Sequence, residues 1–551
     1  MGPMWDAFDF LANAKYFAGQ GFGYIDPNRP PFLSFLTSLI FRASYDSEVA
    51  IFIVDGILFF IGVLGLYLLF NLRFKPIISF IGSLFYMSFP VILLWAGAGY
   101  TDVASTSISI WAIFFTVLAV KRDNRFFYVA FPIFTLAFFT RFASALIIFP
   151  IILYLLICNN LKDFKTIIFG IIISFLFSLP FIYFYYSLFK NPLSPLLGFY
   201  GASSAAIDGP RFSFNPDNLY FLKNFLYSFI NLDVLNDPNL VFKLLFILIT
   251  ILMGYIIILG LYLYLRRIIS LSINEISLSD LKSLNILIIL LATIMLIITF
   301  FIGNYLLCIL SFSIICYFIY KILNNEKLRY FDLDILFVSW FFSFLIFHSI
   351  FDVKVIRYFI PMAPAITYFI LVGLNEFIEN FNIKIMNIKI KKAISFVLIV
   401  SLLISTFHFI YQLEHDPIAN GQNFKFKKSL DENQFKLTSS NKPFTGELYY
   451  ETYNTNQYFK ILMNWFEKYD PNYKNKVIYS DYFWPHLRWN LKTDVGALNV
   501  NKIGKDNIND FLINSKVDYY IAVIYAAELE DYIQIAEFNT KFGKIVIYQR
   551  K

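Results

Sequence analysis

The chain has 551 residues, 58% of them hydrophobic and 20% aromatic, with a mean hydropathy of +0.63 and a formal net charge of +7. A water-soluble globular protein does not carry that much apolar surface, and apolar runs long enough to cross a bilayer recur as far as residue 412. The basic excess is spread over short loops, so no nucleic-acid partner is expected.

The chain opens with WDAFDFLANAKYF at residues 5–17. On a helix, Asp6, Asp9, Asn13 and Tyr16 recur at spacings of three and four and share one face. Trp5, Phe8, Leu11 and Ala12 make the other face. The pattern predicts an amphipathic helix lying in the membrane interface. A plainer reading makes Asp6 a helix cap and leaves Asp9 solvated. GQGFGYIDPNRPPF follows, and its glycines and prolines mark an ordered turn. Pro30 and Pro31 open an apolar segment, 32–43, too short to span. Arg29 stands just before it. An interfacial arginine is usually a headgroup anchor, but beside an acidic helix it can also ligate phosphate.

Membrane helices are expected at roughly 48–70, 76–95, 99–120, 126–140, 141–158, 164–189, 240–265, 284–302, 303–320, 333–351, 358–378 and 391–412. The short pair 126–140 and 141–158 also reads as one broken segment. Alternate loops carry Arg73 and Lys75; Lys121, Arg122 and Arg125; Lys162 and Lys165; Arg266 and Arg267; Lys321, Lys327 and Arg329; and Lys384, Lys389, Lys391 and Lys392. By the positive-inside rule these loops face the cytoplasm. Segment 1–47, the loop 190–239 and the tail 413–551 then face outward. Parity asks for one more membrane helix ahead of Met1, so the chain is expected to lack its first.

Three outer sites break the charge bias. The first is Arg29. The second is Arg141 in FFTRFASAL. The third is the pair Lys354 and Arg357, with Tyr358, in FDVKVIRYFIPMAPAI. An anion on the outer side accounts for them, either a lipid headgroup or a polyprenyl phosphate. Asp102, in GYTDVAS, sits at the outer end of a membrane helix. An ionisable residue there is a functional candidate by default, although Thr101 or Asp102 also reads as a helix N-cap.

The tail 413–551 alternates helix-like and strand-like pieces and predicts a small α/β domain. KVIYSD, VDYYIAVIY and KIVIYQR are its strand candidates. DYFWPHLRWNL, at 481–491, reads as packed core more readily than as an acceptor platform, and His486 has no evident partner. The three cysteines, Cys158, Cys308 and Cys316, all lie in apolar segments, so the tail has no disulfide or thiolate metal site.

WDAFDFLANAKYFAGQGFGYIDPNRPPFLSFL resembles the first outer loop of the C-type glycosyltransferases of the protein O-mannosyltransferase and aminoarabinose transferase group. Asp6 falls on the family's Asp, Phe10 on its Tyr, and Arg29-Pro30-Pro31 on its basic residue before Pro-Pro. TRFASAL is similar to its Thr-Arg/Lys turn, and VIRYFIPMAP to its late Arg-Tyr-x-x-Pro element. The family's Glu after the Asp is Ala7 here, and Asp9 has no fixed counterpart.

The resemblance implies a polytopic membrane fold of about 12 helices in this chain, a first helix missing, and an outer α/β domain. Its domains are 1–47, a catalytic loop; 48–412, the transmembrane domain; and 413–551, extracytoplasmic. It implies inverting transfer of a sugar, by default mannose, from a polyprenyl or dolichyl phosphate to an acceptor hydroxyl on protein or glycan. Asp6 is the expected base, with Asp9 and Asp102 as supporting acids. Arg29, Arg141, Lys354, Arg357 and Tyr358 are the expected lipid-phosphate ligands. No cofactor is expected; a divalent cation held by Asp6, Asp9 and Asp102 is the lesser alternative. The rival readings are a transporter or flippase, which calls for broken helices near the midplane, and a non-catalytic envelope subunit.

Overall fold

The computed structural model describes residues 5–45, 47–159, 164–192, 217–230, 240–275, 283–324, 328–351, 353–380, 388–415, 453–526, 528–540 and 543–551. Lys162, Lys327, Lys384, most of the loop 190–239 and the stretch 416–452 lie outside the described residues. Two short helices come first, α1 (Trp5–Phe17) and α2 (Pro31–Arg42). The apolar bundle follows: α3 (Val49–Phe70), α4 (Pro76–Ser88), α5 (Pro90–Trp95), α6 (Thr101–Lys121), α7 (Phe127–Thr140), α8 (Ile148–Ile157) and α9 (Phe164–Phe189). After α10 (Tyr220–Phe229) come α11 (Leu240–Glu275), α12 (Ser283–Ile302), α13 (Tyr305–Leu323), α14 (Phe331–Ile350), α15 (Ala363–Asn380) and α16 (Ile388–His415).

All twelve apolar segments read from the sequence contain helix. Eight stretches among the described residues are long and apolar enough to cross a membrane. Three of the others, 76–95, 126–140 and 141–158, are shorter, for identifiable reasons. Segment 76–95 is two helices because Pro90 lacks an N–H and holds Phe89 in extended backbone, φ −63° and ψ 129°. Arg141 is likewise extended, φ −155° and ψ 122°, between α7 and a 3-10 turn, Phe142–Ile147, that leads into α8. Pro361 sits within a second 3-10 turn, Ile356–Met362, ahead of α15. The broken elements meet at one end of the bundle, where they shape the site described below.

Helix α6 is the hub, with 83% of its apolar window buried. Its small residues let neighbours come close, as in membrane helix packing generally. Gly62 and Gly65 of α3 lie against Ser107 and Trp111, and the Trp111 indole donates to the Ile61 carbonyl at 2.9 Å. Helices α11 and α15 touch backbone to backbone: a Cβ on Gly260 would overlap the Gly373 carbonyl. Large apolar side chains of α9, α11 and α12, such as Phe175, Ile258 and Phe301, are exposed. Such a belt suits lipid contact and no aqueous surface.

The two ends of the bundle are polar. At one end, Arg73 bonds Asp334 and Tyr368, and Tyr264 also bonds Asp334. Lys121 pairs with Asp332 at 3.0 Å. Asp102, at the opposite end of α6, is about 29 Å away at 1.5 Å rise per residue, the thickness of a bilayer core.

The C-terminal region holds α17 (Tyr453–Tyr469), β1 (Ile478–Ser480), α18 (Trp484–Leu491), β2 (Val495–Ala497), α19 (Ile508–Asn514), β3 (Tyr519–Ala522), β4 (Tyr532–Thr540) and β5 (Gly543–Arg550). The sheet order is β2-β1-β3-β5-β4; β1 runs parallel to β2 and β3, and β5 antiparallel to β3 and β4. The three expected strands are β1, β3 and β5. The two unforeseen ones are the short VGA edge and the polar edge YIQIAEFNT.

Gly260→Val is expected to destabilise the bundle by about 1–3 kcal/mol through overpacking. A Cβ at Gly254 meets nothing within 4 Å, so Gly254→Val is the control, expected to be spared the overlap. Thermal unfolding midpoints of the detergent-solubilised protein check the pair.

Candidate functional site

Helix α1 is buried on nearly every side, with Ala7, Phe8, Asp9, Leu11, Asn13 and Ala14 all buried and, among its described side chains, Tyr16 exposed. This corrects the expectation of an interfacial helix with one wet face. The acidic face is covered by the loop that follows. Asn13 pairs with the Asp26 backbone in both directions, at 3.0 and 2.9 Å. Asp26 in turn accepts from the Asn28 amide at 2.9 Å, an Asx turn. The chain is thereby folded back over α1, and Pro30 and Pro31 start α2 at once. The Tyr185 hydroxyl of α9 fixes the result by donating to the Arg29 carbonyl at 3.0 Å.

Arg29 therefore lies on the carboxylates of α1. Its Nη2 is 2.8 Å from both Asp6 Oδ1 and Asp9 Oδ2, and its Nε is 3.3 Å from Asp26 Oδ2. Asp6 is shared: its Oδ2 is 3.3 Å from Arg357 Nη2. Arg357 Nε is 3.7 Å from Asp102 Oδ2, and Asp102 Oδ1 pairs with Arg141. A continuous chain of alternating charge thus runs Asp9–Arg29–Asp6–Arg357–Asp102–Arg141. Aromatic faces carry the guanidiniums: Arg357 sits 4.4 Å from the Tyr100 ring, and Arg141 4.9 Å from the Tyr358 ring.

The turn before α6 is built for this purpose. Gly97 and Gly99 have φ of +86° and +77°, which side chains other than glycine adopt at a cost. The Asp55 carboxylate of α3, fully buried, accepts from both amides at 3.0 and 3.4 Å. Asp102 is not the N-cap. Tyr100 holds that position with no side-chain capping bond, and the Asp102 side chain meets two arginines instead.

A cavity of about 140 Å³ opens at this chain of charges. Asp6, Arg29, Asp102, Arg141, Arg357 and Tyr358 line it, together with Phe10, Asn28, Tyr100 and His348. Two of the residues singled out from the sequence do not. Asp9 stands behind Arg29 and orients it. Lys354 is buried, with its ammonium donating to the Phe351 carbonyl at 2.9 Å. Asn28, Tyr100 and His348 went unnoticed; His348 has no charged neighbour in the sequence, whereas Asn28 adjoins Arg29 and Tyr100 stands two residues before Asp102.

Burial pushes the Asp6 carboxyl up, and the Arg29 and Arg357 guanidiniums more than offset this, so its pKa lies below the ordinary carboxylate value. Asp9 behaves oppositely: burial dominates and raises it to about 7 despite Arg29. Arg29, facing three carboxylates, stays firmly cationic. Asp6, Asp9 and Asp102 face guanidiniums, and among the described residues no group of three or more His, Cys, Asp or Glu converges as a metal would require.

The C-terminal region reaches this site. Helix α18 packs on α1, placing His486 4.4 Å from the Phe8 ring and Trp489 6.2 Å from Phe41. Arg488 lies 3.6 Å from the Tyr24 ring. DYFWPHLRWNL is thus packed core, and His486 is held by Phe8, Phe459 and Phe483.

Residues 28–184 match the family model described as dolichyl-phosphate-mannose-protein mannosyltransferase. The matched stretch includes Arg29, Asp102 and Arg141. Two crystal structures of ArnT from Cupriavidus metallidurans share the fold. The apo form has a TM-score of 0.55 and the form bound to undecaprenyl phosphate 0.54. Each is 11% identical and covers 100% of this chain and 94% of its own. Among curated proteins, none matches the sequence.

Asp55→Leu strands the buried Gly99 amide and the half-buried Gly97 amide and is expected to cost roughly 1–3 kcal/mol. Asp55→Asn keeps an acceptor oxygen and is expected to be far milder. Thermal midpoints of the two variants, measured side by side, decide it.

Proposed function

We propose, for a chain that belongs by its matched segment with the polyprenyl-phosphate-sugar-dependent glycosyltransferases, that this cavity moves mannose from a polyprenyl monophosphate to an acceptor hydroxyl with inversion. The observation that carries the reading is the convergence of Asp6 with three guanidiniums on one cavity. The acceptor hydroxyl gives its proton to Asp6 as its oxygen bonds the anomeric carbon. The bond from that carbon to the phosphate oxygen breaks, and lipid monophosphate leaves. Arg29, Arg141 and Arg357 take up the charge that develops on the leaving phosphate, in a site where water does not screen them. These fixed cations already supply what a divalent metal would, so the reading calls on none.

Paired with Arg29 and Arg357, Asp6 is a weak base, because the two guanidiniums hold it ionised. A phosphate that draws those guanidiniums to itself leaves the carboxylate less stabilised and therefore more basic. Binding of donor and activation of acceptor are coupled through the same two side chains.

The bound undecaprenyl phosphate of the ArnT structure supports a lipid monophosphate as the leaving group. The description of the matched family supports mannose as the sugar. The charge bias of the loops supports an extracytoplasmic site and C-terminal domain, with an acceptor, protein or glycan, arriving from outside. The division into 1–47, 48–412 and 413–551 is kept, with α1 and α2 as the catalytic loop.

Membranes holding the protein and radiolabelled polyprenyl-phosphate mannose test the assignment. Asp6→Asn is expected to lower transfer by about 10²–10⁴-fold, with the variant equally abundant and equally stable. Equal transfer by both proteins would place the base elsewhere. A second expectation concerns pH. The base must be ionised, so kcat/KM falls as pH drops through the Asp6 pKa. Arg357→Gln removes one of the two cations that depress it. Besides slowing transfer, that change is expected to move the acid limb of kcat/KM to higher pH; an unmoved limb would separate Asp6 from Arg357.

A further inference from the structure

Among the polar groups lining the cavity that the proposed reaction does not use is a buried histidine. His348 lies in the last turn of α14, is 1% exposed, and lines the cavity. Neither of its ring nitrogens has a hydrogen-bond partner among the described residues. Its ring lies against Tyr358, centroids 4.4 Å apart and planes inclined by 23°, with Phe347 edge-on at 5.0 Å. The other face of this arrangement carries charge, since the Tyr358 ring is also the one that Arg141 sits against.

A core role is the first alternative. Histidine among phenylalanines can be mere filling, as His486 is among Phe8, Phe459 and Phe483. His348 differs in that its ring borders a polar cavity lined by three arginines and two aspartates. A buried imidazole without partners costs stability that a phenylalanine in the same slot would not. The cost is recovered when a ligand in the cavity takes its N–H. The neighbours select the sign of that ligand: Arg141 and Lys354 are close enough to act on the imidazole electrostatically, and an anion is attracted by all of them together.

We propose that His348 is a further ligand of the donor phosphate, donating a hydrogen bond to one of its non-bridging oxygens while Arg29, Arg141 and Arg357 supply charge. The assignment rests on the reading of the cavity as a polyprenyl-phosphate site. The stack on Tyr358 fixes the plane of the imidazole, and so the direction of its N–H, before the ligand arrives. Guanidiniums neutralise phosphate from several directions. A single neutral donor on a fixed ring adds discrimination between a phosphate and an uncharged lipid head.

The test uses the full chain in nanodiscs and two probes, undecaprenyl monophosphate and undecaprenol, with dissociation constants measured for each. His348→Phe keeps the aromatic stack and removes the N–H. His348→Gln restores a donor. The expected result is about tenfold weaker binding of the monophosphate by His348→Phe, the scale of one hydrogen bond to a charged group. His348→Gln is expected to recover most of that loss, and undecaprenol is expected to bind all three proteins alike. Unchanged monophosphate binding by His348→Phe, with Arg357→Gln impaired, would overturn the role of His348 and leave the phosphate site standing. Equal weakening toward both probes would make His348 structural. A wild type that binds undecaprenol as tightly as the monophosphate would remove the phosphate site and this inference with it.

Discussion

The site depends on the need to neutralise charge where water is scarce. Four carboxylates, Asp6, Asp9, Asp26 and Asp102, face three guanidiniums, Arg29, Arg141 and Arg357. None of these charges is tolerable alone at such burial. One carboxylate is in surplus, and it is Asp9, the most enclosed of those on α1, that burial drives toward protonation near neutral pH. With Asp9 neutral the cluster balances, and in the proposed reaction an entering phosphate finds cations whose partners are carboxylates it can displace.

The surrounding fold serves this balance. The groups come from elements far apart in sequence: α1, the loop before α2, the start of α6, the end of α7 and the turn before α15. Apart from the carboxylates of α1, each is delivered at a break in regular helix. Pro30 and Pro31 release Arg29 from α2, the extended backbone at Arg141 ends α7, and the Asp55-bound glycines end the segment before α6. At the far end of the bundle the ion pairs of Arg73 and Lys121 with Asp334 and Asp332 fix α14 relative to α3 and α6. That anchorage sets where His348, sixteen residues on from Asp332, meets the cavity.

Much of this could be read from sequence, because charge in an apolar chain is conspicuous. Asp6, Arg29, Asp102, Arg141, Arg357 and Tyr358 stood out and do gather, and the apolar runs became helices. What could not be read depended on tertiary cover. The α1 helix has an amphipathic pattern, yet its polar face is roofed by its own loop and its apolar face meets α18, some 470 residues later by the numbering. Lys354 and Arg357 are three apart and looked equivalent; a 3-10 turn beginning at Ile356 sends only the latter toward Asp6. His348, in FLIFHSIF, has no spacing signature, and Asp55, inside an unbroken apolar run, has no local partner to announce it.

The packing of α18 on α1 ties the two ends of the chain to one function. Asp6 and Asp9 are presented by a helix of thirteen residues, too short to be stable by itself in water. Its persistence rests on its contacts: α18 packs on it with His486 against Phe8, and braces the adjoining loop and α2 through Arg488 on Tyr24 and Trp489 on Phe41. An outward aromatic surface on α18 would have been expected of an acceptor platform; instead His486, Leu487 and Leu491 are buried and the helix faces inward. In the proposed reaction the C-terminal region therefore acts through position: it braces the helix that carries Asp6 and Asp9, whose carboxylates pair with Arg29 and Arg357.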